Sequence, residues 1–306
     1  MIRIENQASR AGGERRNWLR RLWGPSAARN GKMEQERRGP GFHATIIYLR
    51  ASSVAPRADS DDPSRSVMPT EEVRAFIHDL RGAAPPSLDE EGFALIDQRT
   101  AVRDFTDPDE LDRVYLPEAE ELVRAATGAS AAWSLPRPVL RSERHGHLEG
   151  GVVRDRTAPM PHVDYPSTSI PFLIGAAEQR MGRPAPPWRR FRLYNLWRSL
   201  SEPPQDRPLA LCDLRTVDAR DLVSAEAIAN PGALAYSTEF QMLLPNPRHR
   251  WCYFSDMTPG DVLLFQQVDS AATGPSGCPH TSVSAPRAKG AVPRLSLEVR
   301  VCAFFD

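Results

Sequence analysis

The chain has 306 residues, 41% hydrophobic and 25% charged, the composition of an ordinary globular protein able to bury a sizeable core in one or two domains. Its 39 Lys+Arg balance 39 Asp+Glu, so no overall field draws it to nucleic acid or to an anionic membrane surface. The four cysteines (Cys212, Cys252, Cys278, Cys302) form no Cys-x-x-Cys pair, no apolar run reaches the roughly 18 residues of a membrane span, and no apolar signal core follows the first arginines; a reduced, soluble, cytoplasmic protein is expected.

Charge is unevenly spread. Residues 1–50 hold 11 Lys+Arg against 4 Asp+Glu, and the rest of the chain carries the compensating negative excess. Residues 1–41 are Arg- and Gly-rich without apolar periodicity and read as a disordered basic tail, leaving 42–306 as a single domain. Trp18 and Trp23 among arginines offer a short amphipathic element for an acidic surface, which Glu14, Glu34 and Glu36 interrupt. A true start at Met33 is another account of the tail.

Order is expected to begin with a strand at Phe42-His-Ala-Thr-Ile-Ile-Tyr-Leu49. Residues 51–70 read as a loop, and the stretch from Pro69 to Leu80 fits either a helix or a strand. Ser87-Leu-Asp-Glu90 has the spacing of a capping box, and Gly92-Phe-Ala-Leu-Ile96 reads as a strand. Asp107-Pro-Asp-Glu110 opens a helix whose apolar positions Leu111, Val114 and Tyr115 continue, after Pro117, with Leu122, Val123 and Ala126 up to Gly128. Beyond residue 133 short apolar runs alternate with Pro and Gly: 138–140, 190–197, 209–212, 239–244, 251–254, 261–265, 281–284 and 294–305. The fold expected is mainly β, a double-stranded β-helix (jelly roll, cupin-like) with flanking N-terminal helices packed outside.

Three residues carry the chemistry. His162-Val-Asp164 offers an imidazole and a carboxylate, and His280 supplies a second imidazole, the set that leaves open positions on a non-haem Fe(II) centre. With seven His and 20 Asp in the chain, roughly half of one His-x-Asp triplet arises by chance, and His162 taken alone reads as an ordinary loop histidine. The order of the parts decides between them: His-x-Asp, a long insert, His, then Arg-x-Ser on a C-terminal strand. Along that strand Leu295, Leu297, Val299 and Val301 face one way and Arg294, Ser296, Glu298 and Arg300 the other. The expectation is an apolar face on helices and a polar face lining a cavity. A hairpin centred near Arg287-Ala288 would set Arg294 opposite His280, with Arg300 about 20 Å further along and paired to Glu298. Arg294 and Ser296 would then hold a dicarboxylate such as 2-oxoglutarate.

The segments Leu88-Asp-Glu-Glu-Gly-Phe93, Asp104-Phe105, Tyr115-Leu-Pro-Glu118, His162-Val-Asp164, Asn195-Leu-Trp-Arg198 and Pro208-Leu-Ala-Leu-Cys-Asp213 resemble one family. So do Trp251-Cys-Tyr-Phe-Ser255, Pro259-Gly-Asp-Val-Leu-Leu-Phe265, Asp269-Ser270, His280-Thr281 and 294–300. It is the group of bacterial and fungal oxygenases that includes the cephamycin-methoxylation and gibberellin-desaturase-like enzymes. The resemblance spans about residues 43–306, with departures at Ser199 (commonly Pro) and Gly260 (commonly acidic). It implies Fe(II) bound by His162, Asp164 and His280, 2-oxoglutarate as co-substrate, O2, and a small specialised metabolite as substrate, a cephalosporin nucleus being one named case.

Several readings stay open. Asn195, Arg198 and Arg300 are candidates for binding co-substrate, or Asn195 and Arg198 pair with Asp213 or Asp269. Trp197, Trp251, Tyr253 and Phe254 read as core. His145-Gly-His147 reads as an exposed loop, with a metal role as its rival, and His43, His78 and His249 have no partner at suggestive spacing. The competing classes are a zinc hydrolase using the same triad and a jelly-roll binding protein without catalysis. A pathway partner enzyme is a further expectation; a nucleic-acid or membrane partner is not.

Overall fold

The short apolar runs become strands of two sheets in the structure, a computed structural model that describes residues 39–59, 63–136, 138–142, 153–155, 157–229, 236–286 and 290–306. The chain divides into two units, Met1–Gly41 and Phe42–Asp306, and among the described residues the sheets and helices lie in the second, apart from Gly41 at the start of the first strand. The basic tail, with Trp18, Trp23 and Met33, lies outside the described residues up to residue 38, as do His145 and His147.

In chain order the strands are β1 (Gly41–Leu49), β2 (Arg57–Asp59), β3 (Thr70–Asp79), β4 (Phe93–Asp97), β5 (Ala131–Ser134), β6 (Val139–Arg141), β7 (Val153–Asp155) and β8 (His162–Val163). They continue with β9 (Arg190–Ser199), β10 (Leu209–Cys212), β11 (Leu222–Ala229), β12 (Tyr236–Leu243), β13 (Trp251–Tyr253), β14 (Asp261–Asp269), β15 (His280–Ser282) and β16 (Ser296–Phe305). One sheet runs β1-β3-β13-β10-β15-β8-β12-β11-β2, and the other β4-β14-β9-β16-β6-β7 with β5 also on β16. The stretch from Pro69 is thus a strand, β3, which pairs in parallel with β13.

The two sheets face each other as a double-stranded β-helix. Leu209, Leu211 and Cys252 from the first meet Trp197, Leu263 and Phe265 from the second in one buried cluster. The alternation of β16 sorts as its period of two requires. Leu297, Val299 and Val301 face outward with Tyr194 and Leu196 of β9 and Val262 and Leu264 of β14. Ser296, Glu298 and Arg300 occupy the intervening positions.

A helical run over 108–127 covers that outward face. Asp107 starts it, its carboxylate accepting from the backbone N–H groups of Asp109 and Glu110, with Pro108 next in line as the first helical residue. A five-residue π-helical segment, Leu111–Tyr115, leads into α1 (Leu116–Thr127), which ends at Gly128 in the left-handed region (φ 71°). Leu111, Tyr115, Leu116 and Val123 are fully buried on the sheet, each contributing about 2 kcal/mol of burial.

A second helix, α2 (Ile170–Met181), not anticipated from the sequence, follows the His-x-Asp segment and buries Leu173 and Ala177 beneath the far end of the second sheet. The expected hairpin joining His280 to Arg294 does not exist. β15 pairs with β10 and β8 in the first sheet, whereas β16 pairs with β9, β6 and β5 in the second. His280 and β16 therefore meet across the roll, face to face. Arg287 and Ala288, the supposed centre of that hairpin, lie outside the described residues.

Candidate metal centre

β8 is only two residues long, yet it sits between β15 and β12 and places His162 directly opposite both His280 and Met242. Paired residues of adjacent strands point to one face, so the two imidazoles lie side by side with ring centroids 4.3 Å apart. Asp164 follows as the chain leaves the strand, and its N–H donates to Gln267 Oε1 at 2.8 Å. Gln267 comes from the β14 bulge, where the register on β9 shifts between Gln266 and Val268. Gly277 makes this approach possible: a Cβ there would stand 2.3 Å from Val163 Cγ1 and 2.4 Å from the Gln267 carbonyl oxygen.

The rings are aimed. His162 Nδ1 donates to the Met160 carbonyl at 2.8 Å and His280 Nδ1 to the Cys278 carbonyl at 3.3 Å. Each Nε2 is thereby the lone-pair nitrogen, and both face Asp164 Oδ1, at 3.4 and 3.7 Å. His280 Nε2 is buried without a hydrogen-bond partner among the described residues. Such an orphaned nitrogen is what a metal ligand looks like before its ion is counted. The three ligand atoms lie within 4.8 Å of one another, and this is the one such donor cluster among the described residues.

Electrostatics suit a cation. Burial, then the neighbouring His162, lower His280 to about 4, so its imidazole is neutral and available for coordination at neutral pH. Burial acting alone would raise the Asp164 carboxyl; Arg300 and the two histidines prevail and hold it well below the usual carboxylate range. Two imidazoles and one carboxylate oxygen converging on one point fit Fe(II).

A narrow cleft that His162 and His280 help to line is bounded also by Trp197, Leu209, Arg141, Arg294 and Glu298. Arg294 is 2% exposed and lies in the loop before β16, its guanidinium 5.6 Å from the Trp197 ring centre and donating to the Arg207 carbonyl. Ser296 is fully buried at the start of β16, and its hydroxyl has no hydrogen-bond partner among the described residues.

The remaining candidates separate. Asn195 is at the site, but its Nδ2 donates to Asp164 Oδ2 at 2.9 Å. Arg300 also reaches Asp164, through Nε at 2.9 Å and Nη2 at 2.8 Å, and meets Glu298 at 2.7 Å. The distance of about 20 Å along the strand assumed for Arg300 has no meaning for a triad carried by the facing sheet. Arg198 is not at the site: one pleat over from Trp197, it points outward beneath the helical run, donating to Tyr115 Oη, the Gln98 and Pro259 carbonyls and Gln98 Oε1. Neither Asn195 nor Arg198 pairs with Asp213 or Asp269, which hold Arg215 with Arg250 and Arg190 with Arg192 respectively.

Trp251 and Phe254 are buried core, whereas Trp197 serves both core and cleft. His43 and His78 pack edge-on against Phe76, and His249 contacts Asp221 and Tyr48. Sequence reasoning missed Gln267, Gly277 and Arg141. A bulge glutamine and a close-packed glycine carry no motif, while Arg141, beside Glu298 at 3.5 Å, is one of many arginines.

Known proteins share this architecture. The chain is similar to the hydroxylase/desaturase efuI of Hormonema carpetanum, 28% identical over 72% of this chain and 79% of that one. It is similar to the alpha-ketoglutarate-dependent dioxygenase tstK of Talaromyces stipitatus, 28% identical over 72% and 80% of the two chains. Its fold matches the solved structure of the iron and alpha-ketoglutarate-dependent endoperoxidase NvfI with a TM-score of 0.71, at 21% identity over 87% of this chain and 98% of that one. A family model described as an oxidoreductase/YMDC permease-like domain matches residues 48–304, and the chain belongs to that family.

Proposed function

We propose that the protein is an Fe(II)- and 2-oxoglutarate-dependent dioxygenase that hydroxylates or desaturates a small specialised metabolite. The observation that carries this reading is the convergence of two aimed Nε2 atoms and one carboxylate oxygen beside a cleft holding a buried arginine. Its named relatives are a hydroxylase/desaturase and an alpha-ketoglutarate-dependent dioxygenase.

Fe(II), 2-oxoglutarate and O2 together supply an oxidant for unactivated C–H bonds, leaving succinate and CO2; the hard chemistry is theirs. The chain's own residues bind, orient and exclude water. His162, Asp164 and His280 hold the metal; Arg294, with Ser296, takes the distal carboxylate of 2-oxoglutarate by a charge-assisted contact. On the β12 side of His162 the wall is apolar. Met242 faces the same way as its register partner His162, and Phe240 and Val223 continue the strip. That favours a hydrocarbon portion of substrate near the metal. Relatives such as efuI and tstK give the cephalosporin nucleus no preference over other metabolites. A zinc hydrolase would not need a carboxylate-binding arginine beside its metal, and a binding protein would not need aimed imidazoles.

The test is anaerobic. Adding 2-oxoglutarate to the Fe(II)-loaded protein should produce the visible charge-transfer band of a chelated 2-oxo acid, and admitting O2 should discharge it with formation of succinate. His162→Ala or His280→Ala should show neither. A wild-type protein that binds Fe(II) but gives no band and no succinate would overturn the proposal.

A further inference from the structure

The two oxygens of Asp164 live in different surroundings. Oδ1 faces the imidazole nitrogens, whereas Oδ2 accepts Asn195 Nδ2 at 2.9 Å and the Arg300 guanidinium at 2.9 and 2.8 Å. These donors belong to β9 and β16, where Asn195 and Arg300 are register partners, so the second sheet grips a ligand carried by the first. Arg300 is fixed in turn. Its Nη2 also meets Glu298 Oε1 at 2.7 Å, and Glu298 Oε2 meets Arg141 at 3.5 Å. A buried chain of ion pairs is weak evidence for stability, because apolar residues of similar volume often do as well. This chain ends on the one carboxylate whose mode of binding matters.

We infer that Arg300 and Asn195 are positioning residues that confine Asp164 to coordination through Oδ1 alone, with Glu298 locking Arg300 in place. The inference rests on the metal reading of the triad. A carboxylate can bind a hard cation through one oxygen or two. Through two, with both imidazoles, it leaves a six-coordinate ion about two positions, too few for a chelating co-substrate and O2 together; through one it leaves about three. Oδ2, already accepting from two side chains, has little left to offer a metal. The clamp thus protects the open position. This differs from the co-substrate role expected for Asn195 and Arg300 from sequence, since both are committed to the aspartate.

Mn(II) alone is the probe, and water-proton relaxation counts the waters exchanging on it. Wild-type protein should show about three fast-exchanging waters per bound Mn(II). The double variant Arg300→Met/Glu298→Gln should show about two, a fall of about a third in relaxation enhancement at equal occupancy; it removes both charges of the Arg300–Glu298 pair, so that Glu298 is not stranded. Asn195→Ala leaves the ion pairs intact and should lower the enhancement by at least about a tenth, since one donor of the clamp is lost; it decides the matter if the double variant does not fold. A merely structural ion pair would lower the melting temperature of the double variant and leave relaxation per Mn(II) at the wild-type value in both, which overturns the inference. Failure of the wild type to bind Mn(II) stoichiometrically would overturn the metal reading instead.

Discussion

At the scale of single residues, the site depends on positions with no spare room and on charges with no water. Gly277 is the sharpest case. The Cβ of Gly277→Ala would press on the Gln267 carbonyl oxygen and on Val163 at distances no real Cβ shows, and the former is backbone that cannot swing aside. Forced shifts of this kind cost about 1–3 kcal/mol, here delivered to β8 and to the glutamine that holds Asp164. The melting temperature should drop and Fe(II) should bind more weakly; an unchanged melting temperature would show that the bulge can move. Arg294 makes the complementary case. Arg294→Ala removes one of the two arginines that line the cleft and should raise the 2-oxoglutarate requirement by about 30-fold or more, equivalent to about 2 kcal/mol. Fe(II) affinity, measured by titration, should stay within about twofold, because Arg294 touches none of the three ligands.

Elements matter here through the faces they cover. The helical run over 108–127 contributes none of the three clustered donors, yet it seals the outward face of β9, β14 and β16, whose inward face supplies Asn195, Gln267 and Arg300. Asp107 satisfies two of its exposed first-turn N–H groups. Asp107→Ala should therefore cost about 1 kcal/mol of stability, read from denaturant midpoints, while the 2-oxoglutarate requirement stays at the wild-type level. A change in that requirement would mean that the helix and the inner face are coupled. β11 makes a different point. Its sequence, Leu-Val-Ser-Ala-Glu-Ala-Ile-Ala, has the alanine and glutamate content of a helix, but it forms a strand with β12 along its whole length and with β2 on its other edge. Strand formation by such a segment is a property of its neighbours.

For the whole molecule the decisive fact is that the three clustered donors and the side chains that support them come from opposite sheets. His162, Asp164 and His280 belong to the β8–β15 region of one, and Arg300, Asn195 and Gln267 to the other. Metal binding should accordingly tighten the roll as a unit. By linkage, a metal at a hundred times its Kd adds about 2.7 kcal/mol to the stability of the folded state. Mn(II) at that level should raise the melting temperature by several degrees, and a chelator should reverse the rise. His280→Ala should abolish it. A rise that survives in His280→Ala would place the stabilising ion elsewhere.

The sequence by itself determined the class of fold and singled out the three donors that the structure brings within 4.8 Å of one another. His162 and Asp164 are nearly adjacent and His280 closes the order of parts, so the donor types are legible without coordinates. The two-residue alternation over Leu295–Val301 shows which side chains share a face, and Asp107-Pro108 marks the helix start, because both are local backbone properties. Only the tertiary structure decided how distant strands face each other. Nothing between His280 and Arg294 tells whether their strands pair side by side or oppose one another across the roll, since loop length fixes neither. That single difference moved Arg300 from the far end of a hairpin onto Asp164, and strand pleat sent Arg198 to the outer face while Asn195 stayed inside. The helix Ile170–Met181 was not anticipated from the sequence, although Pro171 is a normal first-turn residue. Local periodicity sets which way a side chain points from its own strand; the packing of strands far apart in sequence sets what it meets there.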